Sequence, residues 1–371
     1  MTSWSFHNPV KVHFGVDALN GIGNLLAGRS YALITYPGDV FRGYAQRIAA
    51  HAGPALMVID AIEPNPSVGM LKTICAQMQA LPEAPQVLVA LGGGSVMDSA
   101  KVLAAGHGQW EPVRQTLMQG ASNALRALPI IAIPTTSGTG SEVTCWATVW
   151  DPDNDRKLSL SQEDLYPEAV LVDPRLVAGL PRDTTIASGL DALSHALESL
   201  WNVHANPVTR TLAVQAAREI MSGLTRLAVR LDDLDARSLM ALGSLRAGLA
   251  FSNTRTALAH NISYPITLRQ GIAHGIACSF CLPDVMTAVI GMDKACDTAL
   301  MDIFGDLEGA PQVLREFLDG LGVSCNPHDY GMNNAQWHDI VTQAFDGVRG
   351  RNFIGSIDRF PFHGTARTRC A

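Results

Sequence analysis

Four short apolar runs, residues 31–35, 56–59, 87–91 and 130–133, are each bounded by Gly, Pro or Asp. Stretches of helical periodicity separate them, for example residues 68–80 and 95–105. Strands that alternate with helices join through right-handed crossovers, so the runs predict βαβ units and one parallel sheet. Such a sheet takes ligands at the carboxyl ends of its strands.

The pattern changes in the second half. From about residue 184 the chain is rich in Ala and Leu at helical spacing, as in residues 184–201, 207–221, 236–251 and 310–321. Two prolines, Pro174 and Pro181, punctuate the change. The expectation is an α/β domain over residues 1–178 and an all-helical domain over 179–371. The chain's 371 residues, 47% hydrophobic and 16% charged, are enough for two cores. A net charge of -7 argues against nucleic acid, which needs clustered Lys and Arg. No apolar run is long enough to span a membrane. The first residues lack the basic and apolar segments of a signal peptide, so a cytoplasmic location is expected. Seven scattered cysteines suit free thiols in a reducing compartment. Cys278 and Cys281 form a C-x-x-C with no second pair to complete a metal site. They are read as two small apolar residues sharing a helix face.

Gly92-Gly93-Gly94-Ser95 follows one strand run and opens a helix. Glycines let the backbone approach a pyrophosphate, which the helix N-terminus then holds. A second run ends in Pro134-Thr135-Thr136-Ser137-Gly138-Thr139-Gly140-Ser141-Glu142, whose hydroxyls suit a ribose, a phosphate or a carboxamide. Two such turns in one sheet point to a dinucleotide.

Asp191 and His195 are four residues apart and share one helix face. His260 and His274 follow in the same half. One carboxylate and three imidazoles can hold a divalent cation and leave coordination positions open. Such a cation binds the oxygen of an alcohol or aldehyde and stabilises the developing alkoxide, while hydride passes between the substrate carbon and a nicotinamide.

With these motifs, the sequence resembles the iron-dependent (group III) alcohol dehydrogenases, from Phe14-Gly15 to about Phe353. The resemblance rests on the two strand-end turns, Asp98 and Lys101, Asp173-Pro174, the segment from Gly189 to Glu198, and the His260 and His274 segments. It implies a dehydroquinate synthase-like fold with Fe(II), or Zn(II), between an α/β domain and a helical one. It also implies NAD or NADP as cofactor and a homodimer. Asp191, His195, His260 and His274 become the metal ligands. Gly93, Gly94 and Ser95 become pyrophosphate contacts. Thr135, Thr136 and Thr139 become contacts to the cofactor, as do Asn65, Asp98, Lys157 and Leu176.

The sequence departs from the family at three places. Many members carry a second histidine four residues after the ligand His260, where this chain has Tyr264, so proton transfer would fall to Tyr264, the catalytic candidate among the residues, to a water or to the cofactor ribose. Tyr36 stands where NAD-preferring members place an aspartate against the ribose, which removes a repulsion against a 2′-phosphate and leaves NAD and NADP both open. The residues after Asp358 look unlike the family's ending and are expected to be an atypical terminus.

The segment around His260 resembles the branch acting on phosphonoacetaldehyde and 2-hydroxyethylphosphonate. Arg255 and Arg269 flank His260 in sequence, and guanidinium forks suit a doubly charged phosphonate. The expected partner is therefore a small alcohol or aldehyde, a phosphonate among them. Competing readings are a glycerol-1-phosphate dehydrogenase or dehydroquinate synthase-like enzyme, and a non-catalytic nucleotide-binding module with a structural metal.

Overall fold

The computed structural model describes residues 3–119, 125–154 and 156–362. It divides into two compact units, Asn8–Gly179 and Leu180 onward, the second joined by the N-terminal residues up to His7.

The first unit contains strands β1 (Lys11–Phe14), β2 (Tyr31–Thr35), β3 (Met57–Ile59), β4 (Val87–Gly92), β5 (Ile130–Pro134), β6 (Trp146–Asp151), β7 (Arg156–Ser161) and β8 (Ala169–Val172). Its helices are α1 (Ile22–Leu26), α2 (Asp39–Ala52), α3 (Val68–Gln79), α4 (Gly94–Gly106) and α5 (Trp110–Gln119). Six strands form the expected parallel sheet, in the order β1-β8-β5-β4-β2-β3. Every residue of β2, β4 and β5 is buried, which is why these runs are apolar throughout rather than alternating. The order changes direction between β2 and β4, since β3 lies outside β2 while β5 and β8 extend from β4 the other way. Pairing of Thr35 with Leu91 and of Gly92 with Pro134 brings the carboxyl ends of β2, β4 and β5 level. A crevice at such a reversal is where open α/β sheets bind nucleotides.

Strands β6 and β7 form a separate antiparallel hairpin. Ser67 in the N-cap of α3 forms an isolated bridge with Trp150 of that hairpin.

The second unit is helical: α6 (Arg182–Leu200), α7 (Pro207–Val229), α8 (Leu234–Thr254), α9 (Leu258–Gln270), α10 (His274–Ser279), α11 (Leu282–Val289), α12 (Lys294–Phe304), α13 (Ala310–Gly320) and α14 (Asn334–Asp346). Asn206 and Thr209 form a reciprocal capping box with Pro207 in the first turn, which fixes where α7 starts. Leu190, Leu193, Leu197 and Trp201, spaced three and four apart, put one stripe of α6 into the core.

The residues after Asp358, expected to be an atypical terminus, are packed as far as Phe362. Phe360 is buried among the rings of Trp337, Phe345 and Phe362. Residues 363–371 lie outside the described residues. No helix among the described residues is long and apolar enough to cross a membrane.

Candidate functional site

Helix α6 carries Asp191, His195 and Glu198, which at spacings of four and three share one face, and all three are buried. His260 enters from the first turn of α9, and His274 is the first residue of α10. Gly275 lets α10 lie directly against α6, because a Cβ there would run into the Ala187 carbonyl and come within 3.0 Å of the Asp191 amide. The close approach brings His274 onto the Asp191 carboxylate. Three imidazole Nε2 atoms then surround Asp191 Oδ1, at 3.9 Å for His195, 3.5 Å for His260 and 3.9 Å for His274. The His195 ring is fixed between Phe251, at 4.1 Å, and His260, at 4.6 Å, in stacked geometry.

Glu198 sets the tautomer of His260. Its carboxylate accepts a hydrogen bond from His260 Nδ1 at 2.6 Å, from the Ala257 amide at 2.9 Å and from the His260 amide at 3.1 Å. A proton held on Nδ1 leaves the Nε2 lone pair facing Asp191 Oδ1. In a dry site these two atoms must share a cation, either a metal or a second imidazole proton: burial opposes that proton, but Cys278, Glu198 and Asp191 outweigh it and raise His260 well above its usual range. Both atoms are buried without a hydrogen-bond partner. Burial alone would raise the Asp191 carboxyl, but the three imidazoles outweigh it and hold the group well below the usual carboxylate range. Burial pushes His195 down to about 4, which keeps it neutral, with a lone pair free for a cation. One oxygen and three nitrogens so arranged fit a divalent transition metal such as Fe(II) or Zn(II).

Cys278 corrects one reading of the sequence. One helical turn after His274, its Sγ lies 3.6 Å from His274 Nε2. The ligand atoms of Asp191, His260, His274 and Cys278 all fall within 4.8 Å of one another. Burial pushes the thiol up, yet the two imidazoles bring it down to about 7. Cys278 is therefore part of the cluster and not a filler. Cys281 begins the next helix, and burial pushes its thiol far up, as suits an inert core residue.

Tyr264 lies one turn beyond His260 and stacks its ring on His274 at 6.1 Å and 13°. Burial raises its hydroxyl above the usual phenol range, so it keeps its proton at neutral pH. Arg349, to which nothing in the sequence pointed, places its guanidinium 4.7 Å from the centre of the Tyr264 ring. Arg255 and Arg269 are both exposed. Arg255 ends α8 in a backbone conformation, φ 64° and ψ 175°, that side-chain-bearing residues rarely adopt. Arg269 sits in the last turn of α9, nine residues and roughly 13 Å along the axis from His260.

In the first unit the two glycine- and threonine-bearing turns lie side by side. The Thr135 amide donates to the Gly92 carbonyl at 3.0 Å. A Cβ on Gly94 would come within 2.9 Å of Thr139, and one on Gly93 within 3.2 Å of Thr136. Ser95 Oγ accepts from the Asn65 amide at 3.1 Å, and Tyr36 shares a hydrogen bond with the Ser95 side chain. Gly93, Gly94, Ser95, Asn65, Thr135, Thr136 and Thr139 thus gather around the start of α4, with Tyr36. Asp98 is turned inward, bonded to Ser141 Oγ at 2.8 Å and the Thr148 amide at 2.9 Å. Lys101, buried beside it, donates to Ser141, Thr144 and Trp146. Leu176 is buried in the sheet's apolar core, and Lys157 lies on the exposed side of β7 over the Trp150 ring. The Lys157 charge reaches Asp98 and helps hold its carboxyl down against burial.

Comparison with known proteins agrees with this geometry. Residues 9–174 match the family model described as iron-containing alcohol dehydrogenase, and residues 185–356 match that of the family's C-terminal region. The chain is 35% identical over 260 residues to phosphonoacetaldehyde reductase of Streptomyces viridochromogenes, covering 68% of this chain and 65% of that protein, just under two thirds of its length. It is 35% identical over 286 residues to the probable alcohol dehydrogenase EutG of Salmonella typhimurium, covering 76% of this chain and 72% of that one. Among solved structures, sulfoacetaldehyde reductase from Bifidobacterium kashiwanohense in complex with NAD+ superimposes with a TM-score of 0.90 at 26% identity, over 96% of both chains. With a parallel sheet in one unit and helices in the other, the fold is dehydroquinate synthase-like. The chain belongs to the iron-containing alcohol dehydrogenase family.

Proposed function

We propose that this protein is a metal-dependent, NAD(P)-linked reductase of short aldehydes that carry an acidic headgroup, phosphonoacetaldehyde being the model substrate. The observation that carries the reading is the convergence of three imidazoles on Asp191 Oδ1, with that oxygen and His260 Nε2 left buried and unpartnered. Asp191, His195, His260 and His274 would hold the cation. When bound, the cation supplies Lewis-acid polarisation of the carbonyl and the nicotinamide supplies hydride.

The chain's own residues do the rest. Glu198 keeps His260 in the tautomer that presents Nε2. Phe251 keeps His195 in place. Tyr264, protonated at neutral pH beside His274, would donate a proton toward the carbonyl oxygen. Gly93, Gly94, Ser95, Asn65, Thr135, Thr136 and Thr139 would hold the dinucleotide, with Lys157 as a further contact. Asp98 and Leu176 would support the turns from below.

Two observations favour an acidic substrate. Arg255, an arginine in a glycine-like conformation, costs roughly 1–3 kcal/mol of backbone strain, and such outliers cluster at ligand sites. The relative from Streptomyces viridochromogenes bears the name phosphonoacetaldehyde reductase. Arg255 and Arg269 are the guanidinium groups assigned to the headgroup in this reading. A homodimer belongs to it too, supported by β1, an edge strand that exposes Val12 and Phe14.

The test is NAD(P)H oxidation with phosphonoacetaldehyde and propanal, using both nucleotides, after loading with Fe(II) or Zn(II). Chelation should abolish turnover and leave the far-ultraviolet circular dichroism intact. No turnover with any aldehyde would end the proposal. Unfolding of the helices on chelation would point to a structural metal instead.

A further inference from the structure

The metal cluster is not equally enclosed. The side chains of Asp191, His195 and His260 are 8%, 7% and 3% exposed, whereas His274 is 40% exposed. Within this unit the cluster therefore opens on its His274 side. That side is where Tyr264 stacks, with Arg349 on the Tyr264 ring. By the two spacings together, the guanidinium lies no more than about 11 Å from the centre of the His274 ring.

Arg349 makes no salt bridge among the described residues, although it is half-buried. A guanidinium partly removed from water and lacking a counter-ion is poised for an external anion. The backbone just beyond Arg349 is held on several sides. Asn352 Nδ2 donates to the Thr256 carbonyl at 2.9 Å, the Val203 amide to the Asn352 carbonyl at 2.8 Å, and the Ile354 amide to the Trp201 carbonyl at 3.2 Å. Asn202 Nδ2 in turn donates to the Arg255 carbonyl at 3.1 Å. Asn261, on α9 beside His260, donates to the Ala344 carbonyl at 2.6 Å. The loop bearing Arg349 is thus stitched to the turn bearing Arg255 and to the helix bearing His260 and Tyr264.

We infer that Arg349 recognises the acidic headgroup of the substrate, a tetrahedral oxyanion such as a phosphonate or sulfonate. The inference rests on the reductase reading above and gives that site a specificity residue. A fork-shaped donor pairs two oxygens of such a group, at about 2.8 Å from each nitrogen. The gap to the metal ligands then admits only a short chain between the headgroup and the carbonyl. Tyr264 links the two ends, its ring in contact with both His274 and Arg349.

The experiment measures KM and kcat of the metal-loaded enzyme with phosphonoacetaldehyde, sulfoacetaldehyde and propanal, for the parent, Arg349→Ala, Arg349→Lys and Arg255→Ala. Arg349→Ala is expected to raise KM for both acidic aldehydes roughly 10- to 100-fold, with propanal changed less than twofold. Arg349→Lys keeps the charge and loses the fork, so it should fall between. A change of acidic-to-neutral preference below twofold in Arg349→Ala overturns the inference, as does an equal loss on all three aldehydes, which would mark a role in holding Tyr264. If Arg349→Ala does not fold, Arg349→Lys carries the same comparison. A parent enzyme that reduces none of the aldehydes refutes the reductase reading itself, and one that reduces propanal without favouring the acidic aldehydes refutes the acidic headgroup alone.

Discussion

Glu198 offers the sharpest test of the metal centre, because its carboxylate is fully buried and two of its three hydrogen bonds come from His260, the third from Ala257. Glu198→Gln keeps the shape and removes one acceptor. If the amide oxygen stays on His260 Nδ1 and Ala257, the new NH2 faces the His260 amide, donor against donor. If it turns, the NH2 meets Nδ1, and the imidazole must move its proton to Nε2, the ligand atom. Either outcome forfeits a charge-assisted bond worth about 1.5–3 kcal/mol. Metal affinity should therefore fall roughly 10- to 100-fold. Titrating the metal-free proteins with Co(II) or Zn(II) against a chromogenic chelator measures this directly, and urea unfolding of both metal-free proteins controls for lost stability. A dissociation constant within threefold of the parent, with unchanged unfolding, would show that Glu198 does not set the His260 tautomer.

Three further outcomes are expected. Gly275→Ala should push α10 away from α6, lower stability by about 3 kcal/mol or more and abolish metal binding; a variant that binds metal normally would refute the close-packing argument. Cys278→Ser should leave the helical circular dichroism unchanged while altering the visible spectrum of the Co(II)-loaded enzyme; an identical spectrum would put the thiol outside the ligand field. Burial raises the Glu142 carboxyl to about 7, so the folded chain binds this proton more tightly than the unfolded one. That stabilisation is complete below the unfolded value and is lost as pH rises toward 7. Relative to Glu142→Gln, the parent should lose up to about 3 kcal/mol between pH 4.5 and 7, measured by urea unfolding at each pH; parallel curves would refute it.

Much of this architecture was legible because it depends on local pattern. Strands β2, β4 and β5 are buried throughout, so their runs are apolar throughout. Strand β1 is exposed along its length and gave no such signal, and the β6–β7 hairpin alternates buried positions with partly or fully exposed ones. Asp191 and His195 were visible from their spacing on one helix. The same spacing joins His274 to Cys278, a signal that the C-x-x-C spacing masks. Glu198 shares the face of Asp191 and His195, but its partner His260 lies 62 residues away, and no local pattern reports that pairing. Arg349 meets Tyr264 only through the fold, 85 residues on. Phe360 and Phe362 lacked helical spacing because they pack as single rings in an aromatic cluster.

Lys101 has a consequence for how a nucleotide can come and go. Its ammonium, pushed down to about 8 by burial, is shared among Ser141, Thr144 and Trp146, while Asp98 on the same helix grips Ser141 and Thr148. The stretch beyond β5 is thereby riveted to α4, and the two turns behave as one cooperative block. Amide hydrogen exchange across Ser141 to Thr148 should then be slow and fall in step with α4 rather than with surface loops. Dinucleotide release from such a block would have to proceed without either turn peeling open.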